Sequence, residues 1–381
     1  MTWRIPLSDT DFGVEEEDAV NNVIRSGWLT MGETTQAFER EFGEYNDVSQ
    51  AVSVSSCTAA LHLACIAVGI GPGDEVILPA LTFVATANAV RYTGANPVFA
   101  DIIGFNDLTI SPDSIEAQIT DHTKGIIVMH YAGHACDMPN IIKIAQEHDL
   151  FVIEDAAHAI GSSLNNKKLG TWGDIGCYSF FSNKNLITGE GGMLVTDNPE
   201  YADELKGLRS HGMTSLTWDR HQGHSWSYDV VSLGYNYRID EIRSALGRVQ
   251  LAKLDENNTK RRVLENKYRQ MLEDLVPEVE VPFTSHPGIS AAHIMPIILP
   301  EDVDRRKFME SLKADGIQTS IHYPPIYKFQ SYSDKYDADQ HSLSNTEIIS
   351  NREVTLPMYP NLNSNEIEFV VHSIQKVITL N

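Results

Sequence analysis

From about Val14 to Leu254, short and continuously apolar runs alternate with stretches whose apolar positions recur every three or four residues. Val20, Val23 and Ile24 share one face of a first helix, which stops ahead of Ser26-Gly-Trp-Leu29. Ala51–Val54 reads as a strand. It passes through Ser55-Ser-Cys-Thr58 into a helix on which Leu61, Cys65 and Val68 recur, with Gly69 as its stop. Further strands are expected at Glu75–Leu78, Pro97–Ala100, Gly125–His130, Phe151–Asp155, Ile175–Ser179 and Met193–Thr196. Most of these runs are apolar throughout rather than alternating, as befits strands covered on both faces by helices. Strand-helix-strand order predicts an α/β fold with a largely parallel sheet. Ligands of such sheets gather at the carboxyl ends of strands. Ser55–Thr58, Asp155 and Ser179 all fall there.

Beyond this region, Ile239, Ile242, Leu246 and Val249 mark a helix running toward Leu254. The charged stretch Asp255–Arg262 belongs to a long connecting helix. A smaller α+β domain is expected to follow, with strands at Glu278–Val281 and His293–Leu299 and a helix at Arg305–Ala314. Its last helix carries Ile367, Val370, Ile374 and Val377, with Asn363 and Glu366 at capping-box spacing. The expected division is a large domain over 1–254, including the N-terminal helix, and a small one over 255–381.

Composition narrows the function. The chain has 381 residues, 42% hydrophobic, enough for the cores of two domains. A formal net charge of −23 opposes general nucleic-acid binding, because phosphates are repelled. It leaves room for an anionic small substrate in a locally cationic pocket. No apolar run is long enough to span a bilayer, so no membrane partner is expected. The opening Met1-Thr-Trp-Arg-Ile-Pro6 lacks a secretory pattern. Cys57, Cys65, Cys136 and Cys177 follow no regular spacing, which favours reduced thiols and a cytoplasmic location.

The candidate chemistry centres on Ser179-Phe-Phe-Ser-Asn-Lys-Asn-Leu-Ile-Thr-Gly-Glu-Gly-Gly192. Lys184 sits on a short loop between a strand and a tight glycine turn, and Phe151–Asp155 ends a neighbouring strand in a carboxylate. Such a lysine suits a Schiff base with pyridoxal 5'-phosphate, with an aspartate keeping the pyridine nitrogen protonated. A lysine amine can lose its proton when desolvated; arginine cannot. Ser55-Ser-Cys-Thr58 offers a helix N-terminus to a phosphate, or is simply a capped helix start. Phe83 can stack on a flat ring or belong to the core. Asp155 can cap a helix, His158 can touch a cofactor oxygen or finish a turn, and Ser179 can donate to phosphate or end a strand.

Taken in order, these segments closely resemble the DegT/DnrJ/EryC1/StrS sugar aminotransferase family, of aspartate aminotransferase fold type I. The resemblance runs almost end to end. It is carried by Ile5-Pro-Leu7, Ser26-Gly-Trp-Leu-Thr30, Thr58-Ala-Ala-Leu-His-Leu63, Gly71-Pro-Gly-Asp-Glu-Val76, Glu154-Asp-Ala-Ala-His158, Lys184 with Gly189-Glu-Gly-Gly192, Gly234-Tyr-Asn-Tyr-Arg238, Gln250-Leu251, His322-Tyr-Pro324 and Leu356-Pro-Met-Tyr-Pro360. The resemblance implies that Lys184 bonds the cofactor aldehyde and moves the proton during transfer. It makes Asp155 the pyridinium partner, with His158 touching the cofactor after it. Phe83 would stack on the ring, while Thr58, the backbone around Cys57, and Ser179 would hold the phosphate. It also places Asn236 at the phosphate of the other subunit's cofactor, which implies a homodimer, and Arg238 and His322 at the substrate entrance. Cys57 departs from the family, where glycine is frequent. A side chain is tolerable there if it points away, and a packed inert thiol is expected.

His130, His134, Cys136 and Asp137 look like metal ligands, but their spacing matches no standard zinc pattern, and no metal is expected. The polar, aromatic stretch His211–His224 reads either as a cover for substrate or the dimer interface, or as a variable surface loop. His62 is expected to be satisfied structurally. The resemblance implies an aminotransferase that takes its amino group from L-glutamate, releasing 2-oxoglutarate and leaving pyridoxamine 5'-phosphate. The acceptor would be a keto sugar, a nucleotide-linked 4-keto-6-deoxyhexose. A cyclitol ketone or 3-keto sugar is the alternative acceptor. Two distant rivals are a sugar dehydratase of the same family, which carries histidine in place of the lysine, and a cofactor-binding regulatory protein without turnover. Lys184 argues against the dehydratase.

Overall fold

The computed structural model describes residues 3–214, 223, 227–333 and 343–379. Seven strands form the central sheet: β1 (Gln50–Val54), β2 (Glu75–Pro79), β3 (Asn96–Ala100), β4 (Thr123–Met129), β5 (Phe151–Asp155), β6 (Ile175–Ser179) and β7 (Gly192–Thr196). Their order across the sheet is β1-β7-β6-β5-β4-β2-β3. Strands β3, β2, β4, β5 and β6 pair in parallel, while β7 runs antiparallel to both β6 and β1. The carboxyl ends of six strands therefore share one edge with the amino end of β7. A mixed α/β architecture with a mostly parallel sheet is thus as the hydrophobic pattern predicts, and β7 is its one reversal.

Both faces of the sheet are buried, which accounts for the unbroken apolar runs. Val76, Leu78, Ile127, Ile153, Cys177 and Leu194 join one core with the helix Cys57–Ala67. The alternate residues Ile77, Ile126, Val128, Val152, Met193 and Val195 join a second core with Phe38 and Phe42 of the helix Glu33–Tyr45. Side chains alternate across a strand, so neighbouring apolar residues serve opposite cores.

The helix Glu241–Leu275 runs unbroken for 35 residues. Leu254 packs in the second core, whereas Leu264, Tyr268 and Leu272 belong to a third. That third core is built on the antiparallel pair Met295–Ile298 and Glu353–Leu356, the helices Arg305–Ala314 and Ser364–Thr379, and Ile5 from the start of the chain. The capping box of the last helix forms as its spacing predicts. The Asn363 N–H donates to Glu366 (2.9 Å) and the Glu366 N–H donates back to Asn363 (3.1 Å). Glu278–Val281, expected as a strand, is instead a turn with one bridge, Glu280 to Ile298. Its apolar residues Val279 and Val281 pack on the third core without a continuous ladder to extend. Among the described residues no helix is long and apolar enough to cross a membrane.

Candidate active site

At the shared strand edge lies a cleft of about 340 Å³, lined by Ser56, Cys57, Thr58, Thr82, Phe83, Asp155, His158, Ser179, Lys184, Glu190, His322 and Tyr323, among others. Eight of the sequence-predicted site residues are therefore brought together. The remaining two, Asn236 and Arg238, are not among its lining residues. Asn236 is exposed on the segment following Tyr228. That segment passes close by, since the Ser55 N–H donates to the Tyr237 carbonyl (2.7 Å). Arg238 is half-buried, and its guanidinium is pulled down by burial and by neighbouring Arg209.

One end of the cleft is a helix N-terminus. Ser56 caps the helix Cys57–Ala67, its Oγ accepting from the Ala59 N–H (3.1 Å). The other first-turn N–H groups have no partner within the helix, and together with the helix dipole they favour an anion. Gly192 permits the close approach. A Cβ there would lie 2.6 Å from the Ser56 carbonyl carbon and 2.7 Å from the Cys57 nitrogen. Gly189 supplies the left-handed backbone (φ +84°) that turns the chain back from Lys184. Ser179 is buried at the end of β6, and its Oγ accepts weakly from the Phe181 N–H (3.3 Å).

Asp155 ends β5 and is buried. Its Oδ2 accepts from Thr86 Oγ1 (2.7 Å) and its Oδ1 from the Ala157 N–H (3.2 Å). Burial pushes its carboxyl up, opposed by those two hydrogen bonds and by the charges of Lys184 and His130. The Ala157 contact is the local turn that an aspartate makes at a strand end; no helix follows, so Asp155 is not a helix cap as its sequence position also allowed.

Lys184 is half-buried, with its Nζ 3.4 Å from His293 Nε2. Burial draws its amine down from 10.5 to about 8, against the pull of Asp155 and Cys57. Roughly a tenth is then the free amine at pH 7, far more than for an unburied lysine, and this is the state that attacks an aldehyde. His158 is buried, and its Nε2 lies 2.9 Å from the Tyr323 hydroxyl. Burial, then Lys184 and His322, hold its ring well below the usual histidine range. Its Nδ1 is buried with no hydrogen-bond partner among the described residues. His322 is buried too; its Nδ1 lies 2.7 Å from Thr355 Oγ1, and burial and Lys184 bring its ring down to about 3. Phe83 is 55% exposed at the mouth of the cleft, its ring 5.7 Å from that of Tyr323.

Cys57 does line the cleft, although it also packs against the sheet core. Burial first, and then Asp155, push its thiol well up, so it is a packed thiol and not a thiolate. His130 and its neighbours have protein partners. His130 Nε2 pairs with Glu154 (2.9 Å) and its Nδ1 accepts from the Cys136 N–H (3.2 Å). His134 stacks on Phe283 (4.1 Å) and pairs with Glu265 (3.4 Å). His62 is only half satisfied: its Nδ1 meets the Tyr237 hydroxyl at 3.2 Å, while Nε2 is buried without a partner among the described residues. Of the stretch His211–His224, residues 215–222 and 224 lie outside the described residues.

A flat, phosphorylated aldehyde fits this donor set. A helix N-terminus suits a phosphate, a lysine amine near 8 suits an aldehyde, a buried carboxylate suits a protonated ring nitrogen, and His158 Nδ1, without a partner among the described residues, leaves room for a polar group. The sequence model of the DegT/DnrJ/EryC1/StrS aminotransferase family matches residues 10–375. The chain belongs to this family. It is 38% identical over 383 aligned residues to the spore coat polysaccharide biosynthesis protein SpsC of Bacillus subtilis, covering 99% of this chain and 97% of the relative. Among solved structures, Helicobacter pylori PseC, an aminotransferase involved in the biosynthesis of pseudoaminic acid, superposes with a TM-score of 0.91 at 31% identity, covering 99% and 100% of the two chains. Spr1654 from Streptococcus pneumoniae, solved in its PMP form, gives 0.92 at 27% identity, covering 99% and 100%. The protein is thus a sugar aminotransferase, and pyridoxal phosphate is its cofactor.

Thr86 and His293 belong to none of the motifs singled out in the sequence, and Tyr323, though within His322-Tyr-Pro324, has no role assigned there. Thr86 lies one turn into a helix, and its only signal was the proximity of Phe83. Tyr323 follows His322 directly and could have been taken with it. His293 looked like the first residue of a strand.

Proposed function

We propose that the protein aminates the keto carbon of a nucleotide-linked 4-keto-6-deoxyhexose, with L-glutamate as donor and 2-oxoglutarate as co-product. The observation that carries this reading is Lys184, a lysine with an amine near 8, in one cleft with Asp155 and a helix N-terminus. Bound there, pyridoxal phosphate supplies an electron sink for breaking a C–H bond next to nitrogen. The remaining work belongs to the chain. Lys184 would hold the cofactor, and its freed amine would take a proton from one carbon and return it to another. Asp155, oriented by Thr86 and the Ala157 N–H, keeps a proton on the ring nitrogen. The N–H groups at Cys57 and Thr58, with the Ser179 hydroxyl, bind the phosphate, and Phe83 covers the ring. The Tyr323 phenol and His322 border the sugar, Tyr323 kept neutral by burial and by Asp155 and Glu353.

The active unit on this reading is a cytoplasmic homodimer in which Asn236 reaches the partner's phosphate and Arg238 borders the substrate entrance. The exposed position of Asn236 beside exposed Tyr228, Val230, Val231 and Leu233 supports it. The work divides between a cofactor-binding domain over 1–254 and a smaller one over 255–381. The test is incubation of the cofactor-loaded protein with 15N-labelled glutamate and a panel of nucleotide-linked 3-keto and 4-keto sugars and cyclitol ketones, read by mass spectrometry. A 15N-amino sugar at C4 supports the reading. Label appearing only in a cyclitol or at C3 would replace it with the alternative acceptor.

A further inference from the structure

Behind Lys184 lies a chain of buried side chains whose hydrogen-bonding directions can be worked out from fixed ends. Asn258 Nδ2 donates to the Ile160 carbonyl (3.0 Å). Its Oδ1 is therefore turned toward Asn185, whose Nδ2 donates to it (2.7 Å) and also to the Ala291 carbonyl (2.8 Å). Backbone carbonyls only accept, so both amides are held in one orientation. Asn185 must then present Oδ1 to His293 Nδ1, 2.8 Å away. An oxygen there requires the proton on Nδ1. A neutral ring with Nδ1–H has a bare lone pair on Nε2, and that atom faces Lys184 Nζ at 3.4 Å. Asn185, Asn258 and His293 are all more than nine-tenths buried, so water does not compete for these contacts.

We propose that His293 is a positioning residue for Lys184: fixed as the Nδ1–H form by Asn185, its Nε2 accepts a hydrogen bond from the lysine amine and holds that amine at the cleft. The ring stays neutral because the groups around it oppose a second proton. Burial acts first, followed by the His158 ring at 4.3 Å, Lys184, Arg261 and His322. Arg261 Nη1 also donates to the His293 carbonyl (3.2 Å), which anchors the residue's backbone. Asp155 and Cys57 also act on the amine, through charge, and Asp155 is the carboxylate among them. His293 thus gives the amine a second fixed direction besides the field of Asp155. This rests on Lys184 being the cofactor-bonding lysine.

The experiment follows the rate at which apo protein acquires the visible band of lysine-bound cofactor after mixing with pyridoxal phosphate, across a pH series. His293→Phe keeps a ring against His158 and removes the acceptor. The rate at high pH should fall about tenfold, the worth of one hydrogen bond to a charged or polarised amine. The midpoint should move below that of the native protein, because the ammonium loses an acceptor that favours it. His293→Gln, whose amide oxygen can accept, should recover part of both. A folded His293→Phe protein with native rate and midpoint would overturn the proposal. Should these variants not fold, a neutron structure of the native protein reads the ring directly. Deuterium on Nδ1 and none on Nε2 is expected, and deuterium on Nε2 would overturn it. A native protein that never forms the band would instead overturn the assignment of Lys184 and leave the ring reading to the neutron map.

Discussion

Lys184 sets the pH behaviour of the site. Its amine titrates near 8, so the rate of cofactor attachment should fall as pH drops through about 8, where the ammonium loses its lone pair. The same shift has a stability consequence. The folded lysine releases its proton near 8 and the unfolded one near 10.5, so the unfolded chain holds more protons between those values. The contribution of Lys184 to stability of the apo protein therefore rises with pH across that window. Stopped-flow reconstitution and denaturant titrations of apo protein check the two claims separately. Asp155→Asn should keep the fold and reduce turnover roughly a hundredfold or more, because a preorganised charge is lost where charge develops. Equal turnover would remove Asp155 as the ring-nitrogen partner. Lys184 and Asp155 were legible in the sequence because each occupies a strand end or turn flanked by recognisable neighbours. Thr86, His293 and Tyr323 were not, because their roles depend on which helix or loop the fold lays beside the cleft.

At the scale of elements, the end of the cleft proposed for the phosphate depends on a strand and a helix touching through backbone. Gly192→Ala would put a methyl group within 2.7 Å of the Ser56–Cys57 peptide. The helix start must move, so cofactor affinity should drop more than stability does; equilibrium dialysis beside thermal unfolding separates the two. Ser56→Ala removes the cap from the same helix and should cost about 1 kcal/mol of stability. Strands and helices were readable here wherever periodicity was long and boundaries carried glycine or a cap, as at Phe151–Asp155 and at the Asn363–Glu366 box. Glu278–Val281 misled because alternation over four residues does not reveal whether a partner strand is present to pair with. The reversal of β7 was invisible for a related reason: an apolar strand reads the same in either direction.

The whole molecule raises the question of the second copy. Asn236 does not line the cleft of its own chain, while Leu233 nearby is 85% exposed. Both facts make sense if the exposed segment completes a neighbour's site. Sedimentation should then give about twice the chain mass of 42.4 kDa. A mixture of Lys184→Ala and Asn236→Ala proteins, each impaired alone, should recover activity after subunit exchange, since one of the mixed sites carries neither change. No recovery in a mixture proven to exchange would contradict the shared site. The formal net charge of −23 opposes general nucleic-acid binding and leaves an apolar patch free to self-associate.

The most direct measurement is the absorbance spectrum of the purified protein with pyridoxal phosphate, before and after L-glutamate, beside Lys184→Ala. The native protein should show the visible band of lysine-bound cofactor, lose it on adding glutamate, and release 2-oxoglutarate in equal amount, while Lys184→Ala shows no such band. A native band that ignores glutamate would contradict the proposed donor, and a band that survives in Lys184→Ala would contradict the account at its centre.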